Sequence, residues 1–140
     1  MRLVHRTVAL ALLALAVSLA VPARAQDEPG SSLSVAEYAL GTGVENRVLQ
    51  GKAERFPEGG SVYLWTKVLG GSDGDRIRHV WIHEGKEVTV GLSIGGPSWR
   101  TWSSKALRPG SIGDWAVEVR DADGKVLARA EFECYDPSAG

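Results

Sequence analysis

From Leu33 onward, apolar and polar residues alternate in segments separated by Gly-rich breaks: Leu33 to Leu40, Ser61 to Leu69, Ile77 to Glu84, Glu87 to Ile94, Trp99 to Lys105, Gly113 to Arg120 and Val126 to Glu133. Alternation with a period of two places every second side chain on one face of an extended strand, so each segment reads as a half-buried strand. No window beyond the N-terminus holds a sustained i, i+3, i+4 apolar stripe, which leaves helices a minor part. Strands this short and this regularly spaced predict an all-β domain, an immunoglobulin-like antiparallel β-sandwich of about seven strands.

Two hairpins can be taken as far as register, because a turn fixes which residues oppose each other and therefore which share a face. Asp123-Gly124 carries the signal of a two-residue type I′ turn. That turn sets Trp115 opposite Phe132, Val117 opposite Ala130 and Val119 opposite Ala128, an apolar face throughout. On the other face Glu118 opposes Arg129 as an exposed ion pair, Ala116 opposes Glu131, and Leu127 lies against the stem of Arg120. In the second hairpin, with Gly85 first in a type II′ turn, Trp81 pairs with Val90, His79 with Leu92 and His83 with Val88. This turn favours Trp81 on the core side. Hydrophobicity alone would put Val80 and Ile82 there, as would a loop of odd length.

The N-terminus has a different pattern. Arg2, His5 and Arg6 precede an apolar run from Val8 to Ala20 broken only by Ser18, and Ala23-Arg24-Ala25 is a small-x-small cleavage site. This order is that of a secretory signal peptide over residues 1–25. It is followed by a polar leader over 26–32 expected to be disordered, the β-sandwich domain over 33–135 and a short C-terminal tail over 136–140. Arg2 and Arg6 are not adjacent and no cysteine stands at the cleavage point, so neither a twin-arginine signal nor a lipid anchor is indicated. The protein is expected to be exported, periplasmic or extracellular, with no membrane span after cleavage.

Cleavage removes Arg2, Arg6 and Arg24 and no acid, taking the formal net charge from −1 to −4. An acidic chain is a poor partner for nucleic acid. About 115 residues then remain, one domain able to bury roughly two-thirds of its unfolded surface. A single cysteine, Cys134, excludes any intrachain disulfide, so the fold must stand on packing. That thiol is either a buried small hydrophobe or the site of an intermolecular bridge.

His79-x-Trp81, Trp99-Arg100-x-x-Ser103-Ser104-Lys105, Pro109-Gly110, Gly113-x-Trp115-x-Val117-x-Val119 and Asp123-Gly124-x-x-Leu127, closing on Phe132, resemble a bacterial domain of unknown function, DUF family 2914. Gly43-Val44-Glu45-Asn46-Arg47 and the strand around Trp65-Thr66 fit the same pattern. The resemblance implies a small exported or membrane-linked β-domain with no established activity or ligand.

No catalytic constellation emerges from the residues. His79 and His83 lie about 13 Å apart along a strand, too far to share a metal, and His79 reads as a hydrogen-bonded histidine at the core edge. No Gly-x-Ser-x-Gly elbow raises Ser103 or Ser104 as a nucleophile. Asp73, Asp75, Asp121 and Asp123 read as turn formers rather than a calcium site. No metal and no cofactor is expected.

The remaining cluster is Trp99, Arg100, Trp102 and Lys105. Trp99 and Trp102 project to opposite faces of an extended strand, so at most one joins the core. Trp99, next to the Gly95-Gly96-Pro97 turn, is expected to be the exposed one. An exposed aromatic beside Arg100 and Lys105 suits a ligand in the cell envelope, protein or glycan. The expected function is therefore an exported, non-catalytic binding or interaction module. A small envelope hydrolase and a structural subunit that completes its sheet with a partner are the alternatives.

Mass spectrometry of the exported protein should find Gln26 at its start. A mature chain still carrying residues 1–25 would overturn the signal-peptide reading.

Overall fold

A computed structural model describes residues 32–139. The signal segment 1–25 and nearly all of the leader 26–32 lie outside the described residues, as does Gly140. Ten strands follow one another: β1 (Ser34–Gly41), β2 (Gly43–Glu45), β3 (Val48–Gln50), β4 (Arg55–Pro57), β5 (Ser61–Leu69), β6 (Asp75–His83), β7 (Lys86–Ile94), β8 (Ser98–Ala106), β9 (Gly113–Arg120) and β10 (Val126–Tyr135). The seven segments read from periodicity are all strands. The three additional ones, β2, β3 and β4, have three residues each, too few for any periodicity to register. Among the described residues there is no helix.

A three-stranded sheet, β1-β5-β8, faces a five-stranded one, β4-β10-β9-β6-β7, and β2 and β3 form a small hairpin. Pairing is antiparallel except for β4, which runs parallel to β10 through Arg55–Pro57. The alternation in β5 turns Val62, Leu64, Thr66 and Val68 into the sandwich, each at most 1% exposed. Ile77, Trp81, Val117, Val119, Phe132 and Cys134 meet them from the larger sheet. Burying a side chain of this size stabilises the fold by roughly 1.5–3 kcal/mol relative to leaving it in water.

The β9–β10 register agrees with the sequence reading at Trp115↔Phe132, Val117↔Ala130, Val119↔Ala128, Glu118↔Arg129 and Ala116↔Glu131. The turn that produces it is of another kind. Asp121 N–H bonds to the Lys125 carbonyl at 2.9 Å and Gly124 N–H to the Asp121 carbonyl at 3.1 Å, while Gly124 has φ 86° and neither Ala122 nor Asp123 has positive φ. This is a three-residue loop with glycine in the left-handed position. The Asp121 carboxylate secures it by accepting the N–H groups of Asp123 and Lys125, both at 2.9 Å. A loop one residue longer shifts the register by one, so Arg120 opposes Val126 rather than Leu127. A bulge between Val126 and Ala128 then restores the original pairing.

At the β6–β7 hairpin, Glu84 and Gly85 themselves form the turn, with φ of 50° and 75° as a type I′ turn requires. Trp81 therefore opposes Val88, His79 opposes Val90 and His83 opposes Lys86. The expected register was displaced by two residues. Because side chains alternate with a period of two, that displacement changes partners and not faces, and Trp81 is fully buried in the core. Val80 is buried as well, since β6 is an interior strand whose outer face carries Glu118 beside it.

Glu118 is not the exposed pair expected from sequence. It is 9% exposed and holds Arg120 at 2.6 Å and Arg129 at 2.7 Å, while Arg120 also reaches Glu87 at 3.0 Å. The Arg120 hydrogen bond above all, with Arg129 adding to it against the cost of burial, keeps the Glu118 carboxyl below its usual range. The network arises because β9 is interior and its outer face lies beneath long arginine side chains.

Trp115 stacks on Phe132 with ring centroids 5.7 Å apart and donates its indole N–H to the Ser111 carbonyl at 2.7 Å. Trp115→Ala should cost roughly 3–5 kcal/mol in urea unfolding, as truncation of a buried aromatic does. A loss under about 1 kcal/mol would contradict this packing.

Candidate functional site

The outer face of the three-stranded sheet is built by the residues β5 does not bury. Across its strands run the rows Ala39–Trp65–Trp102 and Glu37–Lys67–Arg100. The β2–β3 hairpin is fastened beside Trp65, whose indole N–H donates to the Arg47 carbonyl at 2.8 Å. Between hairpin and sheet lies a groove of ≈ 340 Å³ with apolar lining from Ala39, Val48, Leu49 and Trp65 and cations from Arg47, Lys52 and Arg100. A second hollow of ≈ 380 Å³ continues along β1 past Tyr38 and shares Ala39, Lys52 and Trp65 with the first.

Arg47, Lys52 and Arg100 form no ion pair among the described residues. The larger hollow of ≈ 760 Å³ on the outer face of the five-stranded sheet is different. Its arginines are already engaged, Arg55 with Glu133 at 3.3 Å and Arg129 with Glu118 at 2.7 Å and Glu131 at 3.4 Å. Unpaired cations around an aromatic face are what an incoming anion can use. Paired ones are a solvated charge lattice.

The four residues singled out in sequence divide between the two faces of β8. Arg100 lines the groove, and half-buried Trp102 stands on the same face opposite Trp65. Trp99 and Lys105 point the other way, opposite the buried Val68 and Val62. Trp99 is therefore not the surplus tryptophan. It packs against the core, over Gly95, where a Cβ would lie 2.5 Å from its ring. Lys105 sits 5.9 Å from the Trp115 ring centroid and caps the end of the core. Sequence reasoning missed Trp65, Arg47 and Lys52. Trp65 was recoverable, because it falls on the polar phase of the strictly alternating β5.

Inside the sandwich, His79 is fully buried rather than at the core edge, and it joins the two sheets. The Thr66 hydroxyl spends its one hydrogen on the Thr101 carbonyl at 2.9 Å, so it can only accept from His79 Nε2–H, 3.4 Å away. Nδ1 is then the bare nitrogen and accepts the Ser103 hydroxyl at 2.6 Å. The Ser103 contact has the form of a nucleophile and its base. Its partner beyond the imidazole is a threonine hydroxyl and not a carboxylate, and Ser103 is only 8% exposed. His83 instead stacks on Trp115, with centroids 4.4 Å apart, and bonds through Nδ1 to the Asp114 carbonyl at 3.0 Å. Among the described residues no three of His, Cys, Asp and Glu are grouped to hold a metal. Cys134 is buried, and burial, with Glu58 adding to it, pushes its thiol pKa up.

Residues 74–134 match the family described as protein of unknown function, DUF2914, in line with the resemblance read from the sequence. The match takes in β8 with Arg100 and Trp102 and stops short of Arg47 and Trp65. No curated protein matches the chain. A crystal structure of a β-glucosidase from Listeria innocua, in complex with glucose, is similar with a TM-score of 0.45 at 10% identity. The likeness covers 73% of this chain and 15% of that one. A Niemann-Pick type C2 protein from the Japanese carpenter ant gives a TM-score of 0.42 at 7% identity, over 74% of this chain and 91% of that one. Likenesses this distant carry nothing about activity.

The His79 chain sets a pH dependence. Burial lowers the His79 pKa from 6.5 to about 4, so between these values the unfolded chain takes up a proton that the native state refuses. Stability from this residue is complete above pH 6.5 and falls by roughly 3 kcal/mol as the pH drops to about 4. Urea unfolding at pH 7.5 and 4.5 should show a larger acid loss for the wild type than for His79→Gln, the carboxylates contributing equally to both. Equal losses would mean that native His79 is protonated without cost.

Proposed function

We propose that this chain is an exported, non-catalytic binding module of the cell envelope, periplasmic or extracellular, whose site is the groove between the β2–β3 hairpin and the three-stranded sheet. The reading rests on one observation: three cations without ion-pair partners among the described residues line a groove of ≈ 340 Å³ together with Trp65, on a chain expected to carry net negative charge once processed. A groove of this size falls within the range of small-ligand sites, roughly 300–1,000 Å³. A local positive field on an acidic molecule selects for anions and holds them less firmly as salt rises. The hydrolase alternative has less support, because the Ser103–His79 contact lies within the core and has no carboxylate behind it.

A sheet-completing role has its own observation. Edge strand β7 runs through Val88–Ile94 without a charged residue, whereas natural edges are usually blunted by charge, proline or brevity. Sedimentation across a concentration series separates this reading from the first.

Arg100 is exposed, so Arg100→Glu should leave stability within about 0.5 kcal/mol of wild type. Calorimetric titration with trigalacturonate, phosphatidylglycerol vesicles and inorganic phosphate should show binding of at least one by the wild type, weakened by salt and lost in the variant. Failure of all three to bind, or binding undiminished by Arg100→Glu, would remove the groove from consideration.

A further inference from the structure

Resting on the groove as the binding site, we infer that its ligand is an acidic oligosaccharide bearing uronic-acid carboxylates, and that Arg47 at the tip of the β2–β3 hairpin is the residue that selects it. The hairpin is closed by two residues, Asn46 and Arg47, between the paired Glu45 and Val48. Both have positive φ, 50° and 64°, the combination that a type I′ turn imposes and that Asn-Gly satisfies best. Asn46 suits the first position. Arg47 stands where glycine is favoured, and a long L side chain in the left-handed region carries conformational strain. The surrounding structure holds it there, because the Arg47 carbonyl accepts the Trp65 indole N–H. The same residue lines the groove. A strained position retained on the rim of a cavity, with its charge unpaired, points to use of that side chain.

The ligand class follows from the lining. One part is apolar, the ring of Trp65 with Ala39, Val48 and Leu49, and the other is cationic, with Arg47, Lys52 and Arg100 contributed by three separate segments. A free phosphate would use only the cations, and an anionic phospholipid would bring a single phosphate to three of them. A uronic-acid oligosaccharide uses both, presenting the C–H face of a pyranose to the indole and several separate carboxylates to the cations. The planar guanidinium of Arg47 matches a carboxylate through two parallel hydrogen bonds, which a lysine cannot make.

The test uses the whole mature chain with trigalacturonate, its neutral counterpart α-1,4-linked galactotriose, inorganic phosphate and phosphatidylglycerol vesicles, measuring affinity by calorimetry and melting by circular dichroism. Wild type should bind trigalacturonate in preference to the other three. Arg47→Gly should lower that affinity about tenfold or more, as loss of a charge-assisted pair does, while melting at or above the wild-type temperature. Asn46→Gly, which relaxes the same turn without touching the charge, should bind as wild type does. Undiminished affinity in Arg47→Gly, or melting well below wild type, would overturn the role of Arg47. Binding of vesicles or phosphate in place of trigalacturonate would overturn the saccharide class and leave the anion groove standing. Binding of none would overturn both.

Discussion

Phe132 is the point on which the sandwich closes. Its ring lies 5.7 Å from Trp115, 6.2 Å from Trp81 and 5.6 Å from Phe56, joining β10, β9, β6 and β4 of the larger sheet. With one cysteine there is no covalent staple, and cohesion must come from packed area of this kind. Edge-to-face and offset aromatic contacts also have preferred geometries, so the cluster fixes strand positions as well as holding them together. Even the short parallel strand β4 depends on it, because Phe56 is what that strand adds to the core.

The two outer faces of the sandwich have opposite characters, and both follow from what the core takes away. Across the five-stranded sheet, interior strands β6 and β9 are covered on their outer side by arginine side chains tied to Glu118, so charge is spent internally. Across the three-stranded sheet, the polar phase of β5 leaves Trp65 outside, and the β2–β3 hairpin leans on it through a single indole hydrogen bond. There the cations are left unpaired. The His79 chain runs between these layers. It satisfies a buried imidazole by drawing one hydroxyl from each of β5 and β8, which ties the smaller sheet to the larger with directional bonds that apolar contacts do not supply.

Much of this architecture was legible because period-two alternation is a strong local signal. β5 and β9 agree with their sequence limits residue for residue, and the core pairs of β9 and β10 stand as read. That agreement had two compensating parts, a loop one residue longer than Asp123-Gly124 suggested and a bulge at Leu127, and neither has a local signature. At Glu84-Gly85 the turn type was misjudged, because a glutamate at positive φ is locally disfavoured and is held there by the pairing of β6 with β7. The candidate site was half legible. The strand was the right one but its faces were reversed: Trp99 was expected outside and lies with Lys105 on the core side, while Arg100 and Trp102 stand on the outer face.

The sequence by itself determined the fold class, the seven long strands and which residues alternate to a common face, since these depend on side-chain chemistry at neighbouring positions along one strand. It also carried the resemblance that a family model matches over residues 74–134. Only the tertiary structure decided which face of each strand is inside and what lies across from it. Trp99 is core and Trp102 is not because β5 presents Val68 to one and Trp65 to the other. Glu118 is buried because β9 became an interior strand. The groove exists because a six-residue span, from Glu45 to Gln50, folds back to bring Arg47 against Trp65, a contact between residues 18 apart in sequence. Such juxtapositions depend on how sheets stack and which strands become edges, and no local pattern of residues encodes that.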